Sequence, residues 1–202
     1  MHGRLPWLRP EELDDDRRTV YDAITGGPRS SGPRAFRLTD DEGRLEGPFN
    51  AMLVSPGVGL ALQELGAAVR YRTSLGDRER EIAILTLAAL RRCDFEWYAH
   101  ERVGRLVGLT DAELATLQRG ELPATLSETE AEVRAITIAL ITQRDLDDAQ
   151  FARAEAVLGR ERLQELIVLV GYYDLLALAL RVWRTPLPAG ESSPFAPEDA
   201  SR

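Results

Sequence analysis

Apolar residues recur at a three-to-four spacing through most of this chain, and nowhere do they alternate with period two over the length of a strand. "PEELDDDRRTVYDAIT", residues 10–25, predicts a short helix with Leu13, Val20 and Ile24 on one face. "GGPRSSGPR", residues 26–34, reads as a loop, and the irregular stretch after it carries turn signals at Gly43 and Gly47-Pro48 around a short extended piece. From residue 57 the helical period is sustained. A first helix places Val58, Leu62, Leu65 and Val69 on its apolar face, and a second opens near Asp77 with Ile82, Leu85, Leu87 and Ala89 inward. A third spans Asp94 to Val107 and stops at Gly108. A fourth is opened by Thr110 with Glu113 three residues on, and a fifth by the Ser127–Glu130 pair. "LDDAQFARAEAVLG" is a sixth, and "ERLQELIVLVGYYDLLALALRVWR" a seventh whose apolar character predicts a place at the centre of a bundle. The fold class is all-α, with about seven helices. The Pro- and Ser-rich end, residues 185–202, reads as a disordered tail.

Composition narrows the functional classes. The net charge of -8 disfavours nucleic acid and anionic membranes as partners. Every basic residue is arginine, which excludes lysine Schiff-base chemistry and a phosphate loop built on lysine. A single cysteine cannot form an internal disulfide, and the N-terminus lacks the apolar core of a signal peptide, so a cytoplasmic location is expected. The most apolar stretch, Leu163 to Trp183, is interrupted by Glu165, Asp174 and Arg181 and reads as a buried helix rather than a membrane span.

The candidate chemistry lies in "CDFEWYAHE", Cys93 to Glu101. At about 100° per helical residue, Cys93, Glu96 and His100 fall within a sector of about 60°, with Trp97 beside them. A helical hairpin turning near Arg91-Arg92 would bring Glu81 alongside. A carboxylate and an imidazole so placed can divide general-acid and general-base roles. Cys93 near a helix N-terminus is drawn toward thiolate, and Glu96 pushes it back. Periodicity alone favours a solvated Glu–His pair and a buried, unreactive cysteine. Glu, Cys and His are all metal ligands, but one His and one Cys without the usual spacing do not make a zinc signature, and no metal is expected.

The stretch from "GPFNAMLVSPGVGL" through "RRCDFEWYAHERVGRLVGL", with "ELIVLVGYYDLLALALRVW" beyond it, resembles the carboxymuconolactone decarboxylase family, which includes the alkylhydroperoxidase D group. The likeness covers about residues 47–184, leaving residues 1–46 as an N-terminal arm that would serve as a lid or an interface element. The peroxidase branch carries a glutamate, then a Cys-x-x-Cys twelve residues on, then a histidine four residues after the second cysteine. Those positions are Glu81, Cys93, Glu96 and His100 here. With Glu96 in the second cysteine's place there is no resolving thiol, so the disulfide cycle of that branch is unavailable, and the pattern looks like the decarboxylase-type branch. The resemblance implies a helical bundle of the alkylhydroperoxidase D type, assembled as a homo-oligomer such as a trimer or hexamer. It also implies cofactor-free lyase chemistry on a small carboxylated or lactone substrate. In that reading His100 is the proton donor or shuttle, Glu96 its orienting partner or the general base, and Glu81 a second relay carboxylate. Arg78 and Arg80 are candidates for binding the substrate carboxylate, Trp97, Tyr71 and Tyr98 for lining the pocket, and Cys93 for its wall. The rival readings are a single-cysteine thiol peroxidase and a non-catalytic binding protein of the same fold.

Overall fold

The periodic segments form helices whose ends are written in the sequence. In this computed structural model, which describes residues 1–27 and 36–195, they are α1 (Asp15–Thr25), α2 (Pro48–Met52), α3 (Pro56–Tyr71) and α4 (Asp77–Arg91). Then come α5 (Asp94–Leu106), α6 (Asp111–Gln118), α7 (Glu128–Thr142) and α8 (Asp148–Trp183). Thr110, Ser127 and Asp147 cap α6, α7 and α8, each with the third helical residue bonding back to the cap. The cap of α4 is Gly76 rather than Asp77, with Glu79 closing on its N–H at 2.7 Å. The sixth and seventh predicted helices run on as α8, interrupted at Gly159, where φ is 72° and ψ 167°. A residue with a Cβ is strained there, which is why the sequence breaks at a glycine. Among the described residues the only extended pairings are isolated bridges, His2 with Leu5 and Thr39 with Leu45.

The centre of the bundle is α4 rather than the apolar C-terminal helix. α4 packs against α5, α6, α7 and α8, and every residue from Arg80 to Ala88 is buried. α8 is the one described helix long and apolar enough to cross a membrane. Leu163, Leu166, Leu169, Tyr173 and Leu176 place one side of it in the core, while Ile167, Leu175, Leu178 and Val182 stay exposed along the other. α3 also differs from its expected face. Gly59, Gln63, Gly66 and Val69 are buried, and Val58 and Leu65 are exposed. Close approach explains the choice: a Cβ at Gly59 would fall 2.0 Å from the Met52 carbonyl oxygen, so the small residues face inward.

Residues 2–7 and 185–195 fold onto the bundle. Arg4 N–H donates to Trp183 O at 2.8 Å, Trp7 Nε1 to Leu45 O at 2.8 Å, and Asn50 Nδ2 to Pro6 O at 3.0 Å. Residues 185–195 do not form the disordered tail expected of them. Phe195 is buried edge-on against Trp97, Ser193 Oγ donates to Asp94 at 2.7 Å, and Arg102 pairs with Glu191 at 2.9 Å. Turn composition hid one apolar anchor and two polar ties. Residues 196–202, and residues 28–34 of the predicted loop, lie outside the described residues.

Candidate functional site

The site is built on the α4–α5 hairpin. α4 ends at Arg92 in the left-handed region, φ 49°, and the Cys93 N–H returns to Ala88 O at 2.9 Å. This turn lays α5 against α4 and brings Glu81 to His100. Glu81 Oε2 lies 2.6 Å from His100 Nδ1, with both side chains almost wholly buried. Arg70 of α3 stands 4.0 Å from the other Glu81 oxygen and donates to the Tyr173 hydroxyl at 3.3 Å. The Tyr173 ring meets the His100 ring edge-on, with centroids 5.0 Å apart.

Arg70, His100 and Tyr173 line a cavity of about 570 Å³, with Glu81 behind His100. Phe36, Leu38, Phe49, Leu75, Phe95, Val103, Leu106 and Leu176 give it apolar walls, and Arg70, Tyr71, Arg80, Glu96, His100 and Tyr173 are its main polar lining. Gly47 shapes one side. Its φ is 58°, and a Cβ there would fall 2.2 Å from the Phe95 ring.

Environment assigns the protons. Burial pushes the Glu96 carboxyl well above the usual carboxylate range, and the negative charge of Asp174 adds to the push. Neither Glu96 oxygen has a hydrogen-bond partner among the described residues, as expected of a neutral acid facing a cavity. Burial lowers the His100 pKa, and Arg70 and Arg80 act in the same direction against Glu81. Burial alone would raise Glu81, but the contact with His100 and the charges of Arg70 and Arg80 hold it below its ordinary value. The consistent state is an ionised Glu81 balanced by Arg70 and a neutral His100 whose Nδ1–H donates to Glu81. The Nε2 lone pair is then free to act as a base. Two titrating groups on one helix are thus shifted in opposite directions, toward a carboxyl that keeps its proton and an imidazole that lacks its second.

Glu81, rather than Glu96, is therefore the partner that orients His100. Cys93 does not stand with them. It is the cap of α5, with φ -89° and ψ 99°, so the helical angle that aligned it with Glu96 does not apply. It lines a separate groove beside Arg91 and Asp174, and burial, with the nearby Glu96, raises its thiol pKa. Trp97 points to the other side of α5, into a cluster with Ile82, Leu85, Leu109, Leu114, Leu117 and Phe195, and does not line the cavity. Tyr98 is also outside the lining, its ring 3.9 Å from the Arg102 guanidinium. Arg78 does not face the cavity either. It joins Glu130 at 2.6 Å, Glu113 at 3.0 Å and the Gly108 carbonyl, tying α4 to α6 and α7. Tyr71 and Arg80 do reach the cavity. Arg80 is held by Asp77 and by the Leu75 carbonyl oxygen at 3.4 Å, and its Nε has no hydrogen-bond partner among the described residues.

Sequence reasoning passed over Arg70, Tyr173 and the phenylalanines of the wall. Arg70 had a signal, since it continues the inward series Gln63, Gly66 on α3, where a charged residue must find a partner. Among the described residues no cluster of three or more His, Cys, Asp or Glu side chains could hold a metal ion.

The described fold is all-helical and of the alkylhydroperoxidase D type. A crystal structure described as an "alkylhydroperoxidase AhpD core: uncharacterized peroxidase-related protein" from Ralstonia eutropha JMP134 is similar over 90% of each chain, with a TM-score of 0.71 and 15% sequence identity. Residues 56–140, which hold Glu81, Cys93, Glu96 and His100, match the model of the carboxymuconolactone decarboxylase family. Residues 56–140 thus carry the similarity to the carboxymuconolactone decarboxylase family, and the fold is that of the alkylhydroperoxidase D core. No curated protein matches it.

Proposed function

We propose that this protein is a cofactor-free lyase or isomerase that moves protons on a small, partly apolar substrate bearing a carboxylate or lactone. The observation that carries the reading is the Glu81–His100 contact of 2.6 Å, set in a cavity that also holds a neutral Glu96. In a decarboxylation the bond from carbon to the carboxylate breaks and its electron pair passes into a conjugated carbonyl. The Glu96 carboxylic acid donates a hydrogen bond to that oxygen as charge develops on it, then gives its proton to the carbanion carbon and recovers one from solvent. Arg80, with its unpartnered Nε, receives the substrate carboxylate before it leaves. His100 Nε2, fixed by Glu81, relays the solvent proton that restores Glu96, and takes a proton from the substrate where the reaction requires removal, as in isomerisation.

A thiol peroxidase is the weaker reading. Cys93 is the only cysteine, its thiol is held protonated, and it lies outside the cavity. Self-association belongs to the proposal as well, because Ile167, Leu175, Leu178 and Val182 leave an apolar stripe on α8 for a second copy.

The test is carbon dioxide release from a carboxymuconolactone by wild type and His100→Ala side by side. Release that the variant loses supports decarboxylation with His100 in the proton path. A folded wild type that releases none rejects that substrate, and exchange of solvent deuterium into bound lactones then tests the isomerase arm.

A further inference from the structure

On the far side of Phe95 from the cavity lies a groove of about 500 Å³ where the C-terminal ends of α4, α7 and α8 meet. Arg91, Arg92, Arg144, Arg181 and Arg184 line it, against only Asp94 and Asp174. A molecule with a net charge of -8 has concentrated five of its cations in one concavity. The backbone beneath them is unusual in the same place. Among the described residues only Arg92, Arg144 and Arg184 combine a side chain with positive φ, at 49°, 63° and 49°. Such positions at helix ends ordinarily take glycine. Arginine makes up 25 of 202 residues, so composition alone does not explain three of three, all lining one groove.

Neutralising helix ends accounts for part of this charge. Each C-terminus carries about half a negative charge, and Arg91, at 2.6 Å, and Arg144, at 3.4 Å, already pair with Asp174. Arg181 and Arg184 remain, exposed and with no side-chain hydrogen bond or ion pair among the described residues. With Arg91 and Arg144 held on Asp174, Arg181 and Arg184 are the two forks that face open volume.

We infer that this groove binds the oxyanion group, phosphate or carboxylate, of a small ligand, with Arg181 and Arg184 as its principal donors. Planar guanidinium forks match both anions by paired N–H···O bonds. Phe95 lines the groove and the cavity alike, so a bound ligand lies one ring away from the cavity.

The experiment is calorimetric titration of the full chain with inorganic pyrophosphate and, separately, citrate at near-physiological salt. Saturable binding of either is expected, and the tighter probe tells phosphate from carboxylate. The double variant Arg181→Ala/Arg184→Gly should weaken that binding at least tenfold. Glycine suits the backbone at residue 184, and Arg181→Ala alone, on a helix surface, gives a second variant that keeps the fold. Absence of saturable binding to wild type overturns the inference, as does affinity unchanged in both variants. A mass in solution that falls in the variants while neither probe binds assigns the groove to contacts between copies, and also overturns it.

Discussion

Helix α5 has two faces, and the difference between them separates chemistry from stability. Toward Tyr173 it presents Glu96 and His100 to open volume, with polar atoms left without protein partners. Toward α6 and the C-terminal segment it presents Trp97, 2% exposed, to side chains that fill the space completely. α4 supplies consecutive residues to both sides: Glu81 reaches the cavity face and Ile82 the packed face. One hairpin therefore holds a polar site that tolerates unsatisfied groups because a tightly packed layer lies directly behind it. Unpaired buried polar atoms cost free energy, and the apolar layer offsets that cost.

Substitutions should divide along the same line. The largest loss of activity is expected for Glu81→Gln, about 10²–10⁴-fold in kcat, because the imidazole loses the carboxylate that fixes its tautomer. A purely structural role would leave the pH profile in place. In the variant the acidic limb of the profile should move to lower pH, since the imidazolium loses its anionic partner. On the packed face, Trp97→Ala should cost about 3–5 kcal/mol of stability, read from denaturant unfolding, and leave kcat of the surviving folded protein within a few-fold. An activity loss in Trp97→Ala that stability does not explain would break the division.

Glu96→Gln comes next, and it reads the proton assignment directly. A carboxyl whose pKa is raised in the folded state contributes stability that is complete below the unfolded value and lost as pH rises toward the folded one. His100, whose pKa is lowered, acts with the opposite sign: its contribution is present above the unfolded value and lost as pH falls. Wild-type stability should therefore fall with rising pH above the ordinary carboxylate range, by up to about 1.4 kcal/mol per pH unit. Glu96→Gln should reduce that slope while lowering kcat about 10²-fold, the yield of one general acid. It should also remove the alkaline limb of the activity profile. Glu46, whose carboxyl pKa burial also raises, leaves a residual slope of the same sign, so it is a slope undiminished by the substitution that would mean Glu96 is ionised in the folded protein.

Much of this was legible in the sequence, for reasons that particular residues make plain. Caps at Thr110, Ser127 and Asp147, together with apolar periodicity, mark α6 to α8, because local hydrogen bonding sets helix ends. Glu81, Glu96 and His100 could be singled out because helical spacing and one hairpin suffice to gather them. Which carboxylate meets His100 was not legible. Glu96 is four residues away on the same helix, yet Glu81, nineteen away, makes the bond, and tertiary packing decides that. Arg78 and Arg80 lie two residues apart and face different neighbours, since α4 is surrounded on all sides and each direction meets a different helix. The central position of α4 was hidden by its charged ends, and the exposed side of α8 by its apolar composition. Hydropathy reports what a helix can bury, not what its neighbours leave to bury.

The smallest expected effect is at Cys93, and it sharpens the comparison most. The residue precedes the first turn of α5 and belongs to neither face of that helix. The residue is 9% exposed and burial raises its thiol pKa, so it is poorly placed to attack a peroxide. Cys93→Ser exchanges it for a residue favoured at helix caps at the cost of a small apolar contact, and the two effects oppose one another. Stability should therefore change by less than about 1 kcal/mol in either direction. Lyase or isomerase turnover should be unchanged, and hydrogen peroxide should disappear no faster with wild type than with the variant. Peroxide consumption by wild type that Cys93→Ser abolishes would move the chemistry off the cavity face of α5 and into the arginine groove, and the division between the faces would then have been drawn in the wrong place.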